Sequence, residues 1–540
     1  MAKTKQPLIK QFLTKEFLKK ELLTKELFTK WLLAKQLSRG QNFLSLFVAG
    51  ALFPLALAPF SLWPIATLSI AVLFWQLQHQ SITQAMAKAS VYGFGLFFAG
   101  ASWVYVSIHE HGFVPAPLAL LATALFCLFL ALFFAAPFML SALIPQTPAA
   151  WVIGLPAIWV LSEWVRIWAL TGFPWLFAGY AHTHTWLNGW APIGGVLWLS
   201  FICALSATLL VQLIQGKIGQ RAVSAAAAAV LIFAASGYLL QHKDWTQPSG
   251  QQLSVVLVQP NIDQHKKWAA TSLTTILSQL EEQSAAHWGT DLMIWPEAAV
   301  PALPHRAREF LNSIQTQAEA GQTTLLTGIP TYNRAEKKYH NSMIALGNVE
   351  GERQYNKTRL VPFGEYVPLE SMLRGLIGFF NLPMSAFSLG ADNQAPFTVQ
   401  GEKVSTAICY EVVYPDLVAR NSRSASILLT VSNDAWFGKS LGPQQHMQMA
   451  QMRALENAKP MIRGTNNGIS ALVNHRGEIY QRLEQYTQGE LVGTVEPRNG
   501  RTVFSRFGSW PTVILALLSC IGLLMKQKLL NSALKRTKTK

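Results

Sequence analysis

Long apolar runs fill the first 240 residues of the chain and recur once near its end. Seven of them, Leu44–Phe60, Leu62–Leu77, Val91–Ile108, Pro117–Leu143, Trp151–Phe173, Pro192–Ile214 and Ala222–Leu240, precede an eighth at Pro511–Met525. Crossing about 30 Å of hydrocarbon takes roughly 20 apolar residues in a helix, so the pattern predicts an α-helical membrane bundle of eight spans. The first two runs are short and are joined by Ala58-Pro59-Phe60-Ser61, where a proline interrupts helical hydrogen bonding.

From about Leu253 to Val495 the period changes. Short runs at Ser254–Val258, Leu292–Trp295, Thr324–Thr327, Ser342–Leu346, Val404–Ile408 and Ile427–Val431 alternate with helical stretches at Thr271–Ala286, Arg306–Ala318 and Pro443–Ala458. That alternation predicts a layered α/β domain with a core of its own. The expected organisation is a basic tail (1–40), seven spans (41–240), an α/β domain (241–505), an eighth span (511–525) and a second basic tail (526–540).

Composition agrees with this division. Hydrophobic residues make up 51% and charged residues 13%, against about 25% charged in soluble domains, so a single soluble globule is excluded. The 18 Trp and 30 Phe exclude disorder. The net charge of +16 would suggest a nucleic-acid partner were it spread over one surface. It is concentrated in the tails: residues 1–40 hold ten Lys/Arg against three Glu, and Lys526 to Lys540 hold six with no acid. Basic clusters flanking apolar spans face the cytoplasm and anionic lipid, which leaves no case for nucleic-acid binding. Lys88, Lys217 and Arg221 lie in the loops after spans two and six, while the loops after spans one, three and five have no Lys or Arg. The α/β domain is therefore expected on the far, periplasmic side.

Ala56-Leu57-Ala58 resembles a signal-peptidase site, but the basic region before it is too long for a signal peptide. The tail repeats a lysine every five residues, from Lys10 through Lys15, Lys20, Lys25 and Lys30 to Lys35. Steps of five spiral round a helix, so a low-complexity extension is favoured over an amphipathic lipid-surface helix.

Three of four cysteines, Cys127, Cys203 and Cys520, sit inside apolar runs as small hydrophobes; Cys409 alone lies among strands. No CxxC or Cys/His spacing suits zinc, which makes Cys409 a candidate nucleophile. His109-Glu110-His111 and His182-Thr183-His184 are expected to be solvated interfacial residues rather than metal ligands, and Glu163 and Arg166 to form an ion pair within one span. Glu297 and Cys409 end apolar strands, and Lys357 follows Tyr355-Asn356. A base, a cation and a thiol brought together from strand ends would supply acyl transfer through a thioester.

These residues carry a resemblance. Trp295-Pro296-Glu297, Asn356-Lys357 followed by Leu360 to Glu365, and Ile408-Cys409-Tyr410-Glu411 resemble the Glu/Lys/Cys motifs of the nitrilase (carbon-nitrogen hydrolase) superfamily. With Ser432 to Gly438, Thr465-Asn466-Asn467-Gly468 and the flanking spans, the chain is most similar to the apolipoprotein N-acyltransferase family of Gram-negative inner membranes. The resemblance implies a periplasmic nitrilase-like αββα sandwich. It implies transfer of an acyl chain from a phospholipid, typically phosphatidylethanolamine, to the α-amino group of diacylglyceryl-cysteine of apolipoproteins, by a monomer that needs no cofactor or metal. Cys409 would be the nucleophile, Glu297 the base, and Lys357 with the Tyr410 N–H the oxyanion donors. Glu365 and Glu411 would orient Lys357 and tune the base, and Trp268, Trp436 and Phe437 would be lid or substrate contacts. A membrane-tethered amidase with water as acceptor, and a non-catalytic membrane scaffold or transporter, are the alternatives.

Overall fold

The computed structural model describes residues 39–216, 220–366 and 387–538. The lysine-repeat tail and Lys217 lie outside them. The apolar part consists of α1 (Arg39–Leu52), α2 (Pro64–Gln76), α3 (Ile82–Gly100), α4 (Ala116–Ala135), α5 (Pro148–Trp168), α6 (Ala191–Ile214) and α7 (Gln220–Gln241). Every apolar run picked out from the pattern falls on a helix. Four helical segments, at 116–142, 148–171, 186–214 and 510–537, are long and apolar enough to cross a membrane. A fifth exists if α3 and its continuation Val104–His111, bent by 61°, count as one span. Gly40–Ala56, Pro64–Gln76 and Ala228–Gln241 are apolar but shorter. Prolines set two of these limits: Pro54 opens a 3₁₀ turn at the end of α1, and Pro64 stands at the start of α2. The start of α3 is fixed by Ser81 and Gln84, whose side chains each accept from the other's backbone N–H.

Glu163 and Arg166 do not close on each other as expected. Glu163 accepts from Trp159 Nε1 (2.8 Å) and from the Ala178 N–H (2.7 Å), whereas Arg166 donates to the Trp175 carbonyl (2.8 Å) under the Phe97 and Phe177 rings. Both hold the segment 175–178 against α5 by pairing its backbone groups. His182 is buried, with Nδ1 3.2 Å from Thr185 Oγ1, and His111 Nε2 lies 2.9 Å from the Ala435 carbonyl. Of the four histidines expected to be solvated, His182 is the buried exception; His109 and His111 are half-buried and His184 is exposed. Among the described residues no group of three His, Cys, Asp or Glu could hold a metal ion.

The α/β domain contains two six-stranded sheets. The first runs in the order β12-β1-β2-β3-β4-β5, with β1 Leu253–Gln259, β2 Leu292–Ile294, β3 Thr324–Asn333, β4 Lys338–Gly347, β5 Gln354–Asn356 and β12 Gly489–Val495. The second runs β11-β10-β9-β8-β7-β6, with β6 Phe397–Val399, β7 Glu402–Ile408, β8 Ile427–Ser432, β9 Met461–Thr465, β10 Ala471–Val473 and β11 Ile479–Arg482. In each the central three strands are parallel and the outer pairs antiparallel. Side chains alternate across a strand, so Val255 and Leu257 face Val404, Ile408 and Leu429 between the sheets, while Val256 and Val258 face helices α8 (Leu273–Ser284) and α9 (Arg308–Ala320). On the outer face of the second sheet lie α10 (Pro415–Ser422) and α11 (Gly442–Asn457), giving an αββα stack.

Helix α11 is where the two halves of the chain meet. All of its residues except Gln444 are buried, since one side packs on the second sheet and the other on the membrane helices. Gln445 accepts from Trp175 Nε1 (2.6 Å), Gln448 accepts from the Ala58 N–H (3.1 Å) and donates to the Tyr180 carbonyl (3.0 Å), and Glu456 accepts from the Val196 N–H (2.9 Å). That last donor is freed by Gly195, whose φ of +67° breaks the first turns of α6. The last helix, α12 (Trp510–Lys538), packs on α5 and continues through the basic stretch expected to be a tail from Lys526.

Candidate active site

Glu297, Lys357 and Cys409 arrive at one place because β2, β5 and β7 end on the same side of the two-sheet sandwich. Cys409 follows β7 directly and begins a 3₁₀ turn with φ of +51°, a left-handed conformation that costs a non-glycine residue energy and presents its side chain at the sheet edge. Glu297 follows β2 in a turn that lies flat against Gly328 of β3. A Cβ at Gly328 would stand 2.4 Å from both the Pro296 carbonyl and the Ala298 N–H, so only glycine fits there.

The centre of the site is a buried charge cluster. Lys357 Nζ lies 3.1 Å from Glu297 Oε1 and 2.9 Å from Glu365 Oε1. Asn341 Nδ2 is 2.8 Å from each of the same two oxygens, and the Asn433 N–H donates to Glu297 Oε2 at 3.0 Å. Lys267, also buried, donates to the Glu297 carbonyl at 3.1 Å. Burial alone would raise the Glu297 carboxyl, but Lys357, Asn341 and Lys267 outweigh it and hold it below the usual carboxylate range. Lys357 is disfavoured as a cation by burial, yet Glu297 and Glu365 keep it protonated far above neutral pH. Burial pushes Lys267 down to about 8. The Cys409 thiol is pushed well above its ordinary value, first by burial and then by Glu297, with Lys357 opposing. The resting site thus holds a carboxylate, an ammonium and a neutral thiol.

Glu365 touches Lys357 directly and is itself oriented by the Val361 N–H at 2.8 Å. Glu411 does not reach Lys357. It accepts from the Ile408 N–H (2.7 Å), the Thr358 N–H and hydroxyl (both 2.6 Å) and Tyr355 OH (3.0 Å), so it pins the turn carrying Cys409 to the loop carrying Lys357. Tyr410 sends its hydroxyl to the Gly172 carbonyl (2.9 Å), beside the Tyr414 hydroxyl on Thr171 (2.7 Å). Phe437 stacks edge-on to Trp103 at 4.7 Å and Trp436 lies 5.2 Å from His111, both against the bent extension of α3. Trp268 is partly buried at the end of a short helix, with its Nε1 buried and unpartnered.

Two comparisons meet at this geometry. Residues 49–209 match the apolipoprotein N-acyltransferase N-terminal domain, and residues 254–502 match the carbon-nitrogen hydrolase family. An apolipoprotein N-acyltransferase of Azotobacter vinelandii is 45% identical over 88% of this chain and 93% of its own. The chain belongs to the apolipoprotein N-acyltransferase family. A second member, from Pseudomonas paraeruginosa, is 42% identical over 90% of this chain and 96% of its own. Among solved structures, a carbon-nitrogen hydrolase from Helicobacter pylori aligns with 45% of this chain and 89% of its own at 17% identity and a TM-score of 0.34.

Several residues in this family member's site gave no signal in the sequence. Asn341 reaches the cluster because the antiparallel β4–β5 register sets Ser342 opposite Asn356 and lets the Lys357 N–H donate to the Asn341 carbonyl at 2.8 Å. Beneath Cys409 lies a second buried network. His446 Nε2 is 3.3 Å from the Cys409 carbonyl, His446 Nδ1 is 3.2 Å from Asp434 Oδ1, and Arg463 is 2.8 Å from Asp434 Oδ2. Arg463, despite burial, keeps Asp434 strongly acidic, and burial together with Arg463 lowers His446. Asp434 stands inside the Ser432–Gly438 motif, whereas His446 and Arg463 lie on α11 and β9 with nothing local to mark them.

Proposed function

We propose that this enzyme passes an acyl chain from a membrane phospholipid to the N-terminal α-amino group of the diacylglyceryl-cysteine of apolipoproteins, by a ping-pong route through a thioester on Cys409. The observation that carries the reading is a strained thiol at a strand end beside a buried Glu297–Lys357 pair, in a domain seated on apolar helices. Glu297 takes the Cys409 proton as sulfur attacks the ester carbonyl of the donor, phosphatidylethanolamine. The oxyanion is held by Lys357 and the Tyr410 N–H. The intermediate collapses and the lysophospholipid oxygen leaves with the proton from Glu297; the lipoprotein amine then attacks the thioester while Glu297 accepts its proton, and the C–S bond breaks as that proton returns to the departing Cys409 sulfur, regenerating the thiol. An amide is more stable than a thioester, so neither ATP nor a metal has to drive the second half. Glu365 holds Lys357, Glu411 holds the turn and the lysine loop in register, and Trp268, Trp436 and Phe437 border the substrate path.

The membrane setting follows from the substrates. Bringing an acyl chain into water costs about 0.8 kcal/mol per CH₂, and a thiol kept at the bilayer surface avoids that cost. On this reading the eight apolar segments all cross the inner membrane of a monomer, with the bilayer locally thinned around the three shorter ones, and the catalytic domain faces the periplasm. Reporter fusions after Lys540 should then read cytoplasm and a fusion near Gly401 periplasm; a periplasmic C-terminus would overturn the eight-span count.

The deciding experiment is incubation of the purified enzyme with acyl-labelled phosphatidylethanolamine. Label should appear on Cys409 as a hydroxylamine-sensitive thioester and move to a diacylglyceryl-cysteine peptide amine when that peptide is added. Discharge to water alone, at the same rate with and without the peptide, would make the enzyme an amidase-type hydrolase instead.

A further inference from the structure

A cavity of about 170 Å³ opens where α7 ends, between the loop before α6, the segment 240–245, the C-terminal end of α11 and the turn between β10 and β11. It is separate from the thiol. Its wall on this side is Leu455 near the end of α11 and Ala458 just beyond it, whereas His446, which touches Cys409, lies nine residues before Leu455, about 14 Å along the axis.

The lining is rich in donors. Lys243 lies over the Trp245 ring, 4.1 Å from its centroid, and no carboxylate among the described residues pairs with it. Trp245 Nε1 and His475 Nε2, both on lining residues, are buried without a hydrogen-bond partner. Arg476 completes the basic set at 3.7 Å from Asp244, a carboxylate that Arg498 shares at 3.6 Å. The one lining acid, Glu478, accepts from Asn474 at 2.8 Å. Burial, followed by the neighbouring Arg498 and Arg476 and opposed by Asp244 and Glu496, brings the His475 imidazole down to about 4, so the ring is neutral. Lys243, Arg476 and the unpartnered Trp245 N–H, with His475 Nε2 able to donate in one tautomer, surround a cavity the size of a small anion and fit the oxygens of a phosphate group.

Alongside the cavity, α7 turns Leu231, Ile232 and Leu239 outward, each at least 66% exposed. An apolar face leading up to a donor-lined cavity matches a lipid, with acyl chains along the helix and phosphate at its end. We propose that this cavity holds the phosphodiester of an anionic phospholipid, a bound lipid distinct from the acyl donor, which ties the far edge of the catalytic domain to the bilayer. The proposal rests on the reading that α7 lies in the membrane.

The test uses the full-length enzyme in detergent, titrated with phosphatidylglycerol, phosphatidylcholine or inorganic phosphate and read by native mass spectrometry. Phosphatidylglycerol should be retained at least tenfold more tightly than phosphatidylcholine, and Lys243→Ala/Arg476→Ala, two exposed positions, should weaken it at least tenfold. Trp245→Phe, which removes the N–H together with the pyrrole part of the ring under Lys243, should weaken it severalfold. Thioester formation on Cys409 should remain as in the unmodified enzyme in both variants, which separates this result from any failure of the catalytic reading. Equal retention by the double variant, or no headgroup preference, would overturn the proposal. Displacement of the lipid by millimolar phosphate would also overturn it, in favour of a site for the free ion.

Discussion

Glu297→Gln should cut the rate of thioester formation on Cys409 by about 10²- to 10⁴-fold, the range for a lost general base, while leaving the thiol in place. Gln keeps the size of the side chain and an oxygen for the Asn433 N–H, so the loss measures proton transfer more than packing. The unmodified enzyme gives the matching pH profile. Because Glu297 titrates below the ordinary carboxylate range, the base is present from neutral pH downward until pH falls through that lowered value, and only there should the rate drop. The thiol titrates well above its ordinary value, so no rising limb from thiolate should appear between about pH 6 and 8. Single-turnover labelling with acyl-labelled phospholipid across this range reads both. If Glu297→Gln kept full rate, the base would have to be Glu365 or Glu411. Glu365 would then be favoured, since Glu411 is occupied by four donor groups and does not meet Lys357.

Lys357→Met should be at least as damaging, for two separable reasons. It removes an oxyanion donor, a loss of about 10²–10³-fold. It also leaves Glu297 and Glu365 facing each other across Asn341 with no cation between them, and two buried carboxylates this close cannot both stay ionised. One proton should therefore be retained at neutral pH, and the acid limb of the profile should move upward. Adding Glu365→Gln to Lys357→Met should return that limb toward its original position without restoring the rate. Lys357→Arg keeps a charge but changes its reach inside a slot where the lysine is 1% exposed, and should lose nearly as much as Met. An Arg enzyme close to the unmodified rate would show that Lys357 contributes only a diffuse positive field. An unshifted acid limb in the Met variant would show that the carboxylates are not coupled.

The parts of this architecture that were readable in the sequence are those written in local periodicity. The apolar runs mark the helices, and β1 to β4, β7 and β8 all appear where a short β-rich run predicts a strand, with β3 and β4 extending beyond their runs to Asn333 and Lys338. Strands β5, β6 and β9 to β12 were not anticipated. They are mostly short, and β11 and β12 carry exposed positions, so they hold no sustained apolar alternation. The three principal site residues were visible because each follows a recognisable strand or motif. Asn341, Lys267, His446 and Arg463 were not, because their roles arise from register and packing between elements far apart in the chain. The eight-span expectation rests on hydropathy alone, and the helix lengths support four or five crossings without further assumption.

The hydroxyl of Tyr410 on Gly172, and α11 lodged between the second sheet and the membrane helices, make the catalytic layer part of a single solid with the bundle. A chimera joined at residue 241 would take Gln445 from one parent and its side-chain partner Trp175 from the other, while Gln448 and Glu456 would still meet backbone groups of Ala58, Tyr180 and Val196. The packing of α11 on the apolar helices is therefore the part of the joint that such a chimera would have to rebuild.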